Sequence, residues 1–231
     1  MRLFLFDIDG TLVTARGAGR EAFNRALRDV FGTVGPVEAG YDFRGKTDPR
    51  ILHDLMSAAG FEAAEIDARA ARFFVAYARS LADVIGDGHR IEVMPGIPEL
   101  IRALADRDDA LVGLLTGNVE AGARVKLAPT GLWPYFRLGA FGSDHPDRRA
   151  LPAIACARAR ALLAREFPFD RVTIIGDTPL DVDCARACGA RAVAVATGFY
   201  AYDDLEGCAP DVLFKDLGDV ARVLAVLTDE R

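Results

Sequence analysis

Two aspartates, Asp7 and Asp9, follow the apolar run Leu3–Phe6 in the string Asp7-Ile8-Asp9-Gly10-Thr11. Alternate side chains of an extended backbone share a face, so both carboxylates point one way while Ile8 points into the interior. Hard carboxylate oxygens with room for water suit Mg²⁺, and Gly10 lets the chain turn sharply and bring backbone N–H groups near an anion. The plainer alternative is a strand-to-loop turn with two solvated aspartates. Thr116-Gly117-Asn118 follows a second apolar run, Leu111–Leu115. A hydroxyl, a flexible residue and an amide ahead of a helix make a phosphate cradle; the same residues also make an ordinary N-cap and turn. Gly176-Asp177-Thr178-Pro179-Leu180-Asp181 follows a third run, Val172–Ile175. A helix start with a favourable dipole accounts for Pro179 and Asp181, but not for Asp177 at a third strand end. Together the three strings supply what metal-assisted phosphoryl transfer requires: a nucleophile, an acid/base, a metal site and a phosphate cradle.

Something must bring three distant strings together. Short apolar runs separated by helical patterns predict a parallel sheet buried on both faces, with Ala192–Ala196 and Val212–Phe214 as further strands. Ile97, Leu100, Ile101 and Leu104 follow helical spacing, as do Val220, Val223, Leu224 and Leu227, and an Ala- and Arg-rich helix runs from about Leu151 to Arg165. The fold class expected is α/β, a doubly wound, Rossmann-like parallel-sheet core. The stretch 15–89 differs, having no clear strand. Phe23, Ala26, Leu27 and Val30 define one amphipathic helix, Ile51, Leu55 and Met56 a second, and Ile66, Ala70, Phe73, Phe74, Tyr77 and Leu81 a third. The expected organisation is a core of residues 1–14 and 90–231, interrupted by a helical subdomain over 15–89.

The chain has 231 residues, 51% hydrophobic and 27% charged, with a formal net charge of -6. That balance is ordinary for a folded soluble chain, and it lacks the basic footprint of a nucleic-acid binder. The first apolar run is cut by Asp7, and no other segment approaches the length of a membrane span, so a cytoplasmic protein is expected. Cys156, Cys184, Cys188 and Cys208 form no Cys-x-x-Cys pair. They read as small apolar fillers in a reducing compartment. His53, His89 and His145 show no metal-ligand spacing and read as surface residues.

With these strings in place, the sequence resembles the haloacid-dehalogenase-like hydrolase superfamily. Asp7-Ile8-Asp9-Gly10-Thr11 matches its first motif, Thr116 its second and Gly176 to Asp181 its fourth. The layout, including an inserted helical cap, is similar to that of phosphoglycolate-phosphatase-like members. The resemblance implies an Mg²⁺-dependent phosphatase acting on a small phosphorylated metabolite, as a monomer or homodimer. It implies that Asp7 attacks phosphorus to form an aspartyl-phosphate and that Asp9 protonates the leaving oxygen and later activates water. It further implies Mg²⁺ on the Asp7 carboxylate, the Asp9 backbone carbonyl and Asp177, with Asp181 behind them or bridged through water. Gly10, Thr116, Gly117 and Asn118 would hold the phosphate.

One departure stands out. The family's third motif is usually a lysine, yet no lysine lies between Lys126 and Lys215. The stretch Asp144-His145-Pro146-Asp147-Arg148-Arg149 suggests Arg148, ahead of Arg149, with Lys126 on the helix after Asn118 as the fallback. Arg44-Gly45-Lys46-Thr47-Asp48 reads either as a cap loop that touches substrate or as a helix start with Thr47 or Asp48 as N-cap. A phosphomutase needs the same Asp7 and Asp9 and is the nearest rival. A non-catalytic binding protein on the same fold is more distant. Asp9 argues against a dehalogenase and against a phosphonate hydrolase, although Lys46 in the cap keeps the latter in view.

Overall fold

A computed structural model describes residues 1–229, apart from the side chains of 38 and 39. A six-stranded sheet is built from β1 (Arg2–Phe6), β4 (Ala110–Thr116), β5 (Leu138–Phe141), β6 (Val172–Gly176), β7 (Arg191–Val195) and β8 (Val212–Phe214). Its order is β5-β4-β1-β6-β7-β8, with every pairing parallel. Short strands β2 (Val13–Thr14) and β3 (Glu92–Val93) form a separate antiparallel ribbon. The helices are α1 (Ala18–Phe31), α2 (Asp48–Ala58), α3 (Ala63–Ile85), α4 (Ile97–Ala105), α5 (Glu120–Leu127), α6 (Leu151–Leu163), α7 (Pro179–Cys188), α8 (Tyr202–Glu206) and α9 (Val220–Thr228).

The strands are apolar on both faces because each face is covered by helices. Leu3 and Leu5 of β1 pack with Leu151, Ala155 and Ala159 of α6 and Val182 and Ala185 of α7. Phe4 and Phe6, alternating with them, pack with Leu100, Ile101 and Leu104 of α4 and Val223 and Leu227 of α9. Register then aligns the ends that carry chemistry. Phe6 stands opposite Leu114 of β4 and Ile175 of β6, and Asp7 N–H donates to the Ile175 carbonyl at 2.9 Å. In the sheet's own count the order is 3-2-1-4-5-6, the doubly wound arrangement whose ligand crevice opens where the winding direction reverses. That point lies between β1 and β6, the strands followed by Asp7 and Asp177.

Residues 15–89 hold helices and no strand among those described, and they have an apolar cluster of their own. Helix α1 lies along α3, and α2 packs against α3. At the centre Phe23 meets Phe73 and Tyr77 edge to face, with ring centroids 4.8 and 5.2 Å apart. The chain leaves the sheet at β2 and returns at β3, and these two crossings are hydrogen-bonded side by side, Val13 opposite Val93. No described helix is long and apolar enough to cross a membrane.

The helical layer has a direct stability test. Phe73 is 0% exposed at the centre of the aromatic cluster, whereas Val75, two residues further along α3, is 63% exposed. Phe73→Ala is expected to cost about 3 to 5 kcal/mol through lost burial and the cavity left behind. Val75→Ala should stay within about 0.5 kcal/mol. Urea unfolding of both variants checks the difference.

Candidate active site

Asp7, Asp177 and Asp181 are all buried, and each offers an oxygen within 4.8 Å of the others. Asp7 follows β1, Asp177 follows β6, and Asp181 lies in the first turn of α7. Asp181 Oδ2 accepts from the Thr178 backbone N–H at 3.0 Å and its hydroxyl at 2.7 Å, while its Oδ1 pairs with Arg148. Asp177 Oδ1 accepts from the Thr11 hydroxyl at 3.0 Å. Asp7 Oδ2 is 3.2 Å from Arg148, and Asp7 Oδ1 is buried without a hydrogen-bond partner.

Burial and crowding together raise the proton affinity of Asp7 and Asp177. Burial pushes the Asp7 carboxyl up to about 6; Arg148 opposes the shift, and Asp181 and Asp9 add to it. Burial, then Asp181 and Asp7, hold Asp177 well above the usual carboxylate range. For Arg148 burial disfavours the charged form, but Asp181 and Asp7 outweigh it and keep the guanidinium protonated. A divalent cation fits this deficit of positive charge. The donors are hard oxygens, and the buried Asp7 Oδ1 lacks any other partner. The main chain leaves little spare room, since a Cβ on Gly10, where φ is +84°, would collide with the Asp177 carboxylate.

Asp9 faces elsewhere. Its carboxylate, 46% exposed, accepts from Asn118 Nδ2 at 2.8 Å and from Lys126 Nζ at 2.6 Å. It does not join the three-carboxylate group. The family resemblance assigns only the Asp9 backbone carbonyl to the metal, and the position of the carboxylate is compatible with that. Thr116 ends β4, and its hydroxyl oxygen accepts from the Asn118 N–H at 3.3 Å and from Nδ2 at 2.8 Å. Thr116, Gly117 and Asn118 line the same cavity as Asp7, Asp9 and Gly10.

The two arginines separate. Arg148 is buried, donating to the carbonyls of Gly45 and Leu115 as well as pairing with the two aspartates. Arg149 lies at the surface against Asp183 at 2.8 Å. Lys126, the fallback in the sequence, is only 5% exposed and reaches Asp9 from the far side of the cleft. A signal for it existed: Val119, Ala123 and Leu127 mark the buried side of α5 and its approach, and Lys126 lies between them in helical spacing. A lysine on an apolar stripe is the unusual feature.

The segment Arg44–Asp48 is the helix start that its sequence allowed, and it also packs onto the loops at the strand ends. Thr47 caps α2, accepting from the Arg50 N–H at 3.3 Å. It also donates its hydroxyl to the Pro146 carbonyl at 2.6 Å, while the Asp48 N–H donates to the Gly117 carbonyl at 2.7 Å. Asp48 Oδ2 accepts from the Val119 N–H at 2.8 Å. Gly117 is required here, because a Cβ would strike the Lys46 carbonyl. The Arg44 guanidinium stacks over the Phe199 and Tyr200 rings, 4.4 and 4.9 Å from their centroids. The helical layer thus closes over a cavity of about 420 Å³, lined among others by Asp7, Asp9, Phe43, Lys46, Lys126 and Arg148. His53, His89 and His145 each pair locally, with Asp67, Asp87 and the Asp147 backbone, away from this cavity. All four cysteines are free.

Comparison with known proteins agrees with the geometry. The chain is similar to a probable phosphatase, IndB, from Dickeya dadantii, at 28% identity covering 94% of this chain and 91% of that one. It is similar to a phosphoglycolate phosphatase from Synechococcus elongatus, at 27% identity covering 98% and 99%. Among solved structures, a hydrolase from Pseudomonas syringae superimposes with a TM-score of 0.74 at 22% identity, covering 99% and 100%. A putative beta-phosphoglucomutase from Bacteroides vulgatus gives 0.69 at 21% identity, covering 98% and 88%. The profile of the haloacid dehalogenase-like hydrolases matches residues 4–186, a span that begins in β1, ends in α7 and takes in Asp7, Asp9, Thr116, Asn118, Lys126, Arg148, Asp177 and Asp181. The chain belongs to the haloacid dehalogenase-like hydrolase family.

Proposed function

We propose that this phosphatase hydrolyses small phosphate monoesters with the help of Mg²⁺, passing the phosphoryl group through Asp7. The observation that carries the proposal is the state of the Asp7 carboxylate. It is buried at the end of β1, with one oxygen beside Arg148 and the other lacking a protein partner. A carboxylate so placed is a nucleophile held ready at the floor of the cleft. Asp7 attacks phosphorus, the bond from phosphorus to the leaving oxygen breaks, and Asp9 gives that oxygen its proton. Asp9 then takes a proton from a water that attacks the aspartyl-phosphate, releasing inorganic phosphate and restoring the Asp7 carboxylate and the protonated Asp9. Mg²⁺, held by Asp7, Asp177 and the Asp9 carbonyl with Asp181 behind them, would reduce the repulsion between carboxylate and phosphate.

The remaining roles follow from what each side chain can donate. Arg148 offers positive charge beside Asp7, and Thr116 and Gly117 offer a hydroxyl and a backbone N–H at the end of β4, while Gly10 and Asn118 line the cavity with their own N–H groups engaged by Val13, Thr116 and Asp9. The cavity of about 420 Å³ beneath the helical layer supports a small substrate. The names of the relatives support a phosphoglycolate-like ester among the first candidates.

Asp7→Asn should lower phosphate release by about a thousand-fold or more while leaving the unfolding transition in place. Wild-type turnover in that variant would remove Asp7 from the mechanism. Chelation should abolish activity and added Mg²⁺ restore it, whereas Ca²⁺, with its larger and looser coordination, should support little turnover. Full activity in excess chelator would exclude the metal. Phosphate appearing in step with substrate loss separates hydrolysis from mutase chemistry, in which the phosphoryl group is conserved.

Arg148→Ala should cut kcat by about a hundred- to a thousand-fold, by loss of a donor at the phosphoryl site. Arg149→Ala should be near normal, because its partner is Asp183 at the surface. Arg148→Lys should keep part of the activity, since the charge survives and the planar fork does not. Steady-state kinetics on one good substrate decides among these outcomes.

A further inference from the structure

We infer, on the phosphatase reading above, that Lys126 is a positioning residue for the acid/base step: it holds Asp9 and sets the orientation of the Asn118–Thr116 cradle. Lys126 reaches this place from α5, inside the core, with Nζ 2.6 Å from Asp9 Oδ2 and 2.7 Å from Asn118 Oδ1. An ammonium group only donates. Asn118 must therefore turn its oxygen toward Lys126, and its Nδ2 is left facing the two acceptors on the other side, Asp9 Oδ2 and Thr116 Oγ1, both at 2.8 Å. Thr116 Oγ1 thus accepts from both the N–H and the Nδ2 of Asn118. Its own proton stays available for an acceptor in the cavity that Thr116 lines.

Lys126 consequently governs two things through one amide. Asp9 is fixed from two directions, by Lys126 and by Asn118, although nearly half of its side chain faces the open cleft. The Thr116 hydroxyl is free to donate where a phosphate oxygen would lie. The surroundings leave Lys126 little freedom. A Cβ on Gly19 of α1 would sit 3.6 Å from Nζ and 3.9 Å from the Tyr77 hydroxyl, so two cap helices close over the ammonium group. Asp48, also from the helical layer, adds its charge nearby, and Lys126 in turn favours the ionised Asp48. Arg148 serves Asp7 and Asp181; Lys126 serves Asp9 and Asn118.

The test uses the full-length Lys126→Met, Lys126→Gln and Lys126→Arg variants. Their crystal structures should show the Asp9 carboxylate beyond hydrogen-bond range of Asn118 in Lys126→Met, and back within range in Lys126→Arg. Unchanged Asp9 and Asn118 in Lys126→Met would overturn the inference, whatever the activity. Kinetically, kcat/KM is measured across phosphate esters whose leaving groups differ in basicity. With general-acid help impaired, Lys126→Met should lose about a hundred-fold on an alkyl phosphate but about ten-fold or less on para-nitrophenyl phosphate. Lys126→Arg should recover part of that loss. In an Asp9→Asn background, Lys126→Met should add less than about threefold, because the two residues act as one unit. Equal losses on all leaving groups, or full additivity with Asp9→Asn, would reduce Lys126 to a structural ion pair. Should Lys126→Met fail to fold, Lys126→Gln carries the same readouts. Lack of any Mg²⁺-dependent phosphate release by the wild type would sink the phosphatase reading instead, and the crystallographic comparison would still judge Lys126.

Discussion

Like charges a few ångströms apart repel strongly once water is removed, and the carboxyl edge of this sheet gathers Asp7, Asp177 and Asp181 in a buried group. A phosphate ester must then approach the same place. Much of the polar architecture answers that crowding. Arg148 is buried at the cost of its own hydration and spans Asp7 and Asp181. Thr11 and Thr178 satisfy further carboxylate oxygens. Asp7 Oδ1 is left over, and a divalent ion suits the charge still missing. Removing one partner from such a group leaves an uncompensated charge and costs more than the pair itself contributes.

The fold concentrates these charges by register alone. The strands of β1 and β6 are adjacent, their ends level, and the winding of the sheet reverses between them. No loop has to reach far, because Asp7 and Asp177 are the residues that follow two paired strands. The helical layer then roofs part of the crevice. Its segment around Thr47 and Asp48 is bonded to Gly117, Val119 and Pro146, so the residues that would hold phosphate and those that would enclose the leaving group form one connected wall. Any opening of that layer must break these bonds together, and the paired crossings at β2 and β3 are the place where the chain passes between the two parts.

The parts of this arrangement legible in the sequence were those written in short-range pattern. Apolar runs of four or five residues between helical spacings identified β1, β4 and β6, and the polar strings at their ends followed. Strand β5 escaped notice because it is four residues with a glycine in the middle, and β2 and β3 are too short to show alternation. Arg148 and Arg149 are neighbours on one helical turn, and only three-dimensional placement shows one turned inward to Asp7 and the other outward to Asp183. Lys126 ranks only as the fallback in the sequence because it belongs to the helix after Asn118; the residues that close over it, Gly19 and Tyr77, lie far away in sequence. Asp9 illustrates the opposite limit. Strand alternation predicts a shared face for Asp7 and Asp9, but β1 ends at Phe6, and Lys126 and Asn118 hold the Asp9 carboxylate apart from the three buried acids.

The central claim is that phosphorus bonds to Asp7 before it meets water. The stereochemical course at phosphorus tests this most directly, using a phosphorothioate monoester made chiral with two oxygen isotopes and hydrolysed by the Mg²⁺-loaded enzyme in water carrying the third, so that the inorganic thiophosphate released is itself chiral. Each in-line displacement inverts the phosphoryl group, so transfer to Asp7 followed by transfer to water predicts net retention. Net inversion would mean a single direct attack by water and would contradict the account.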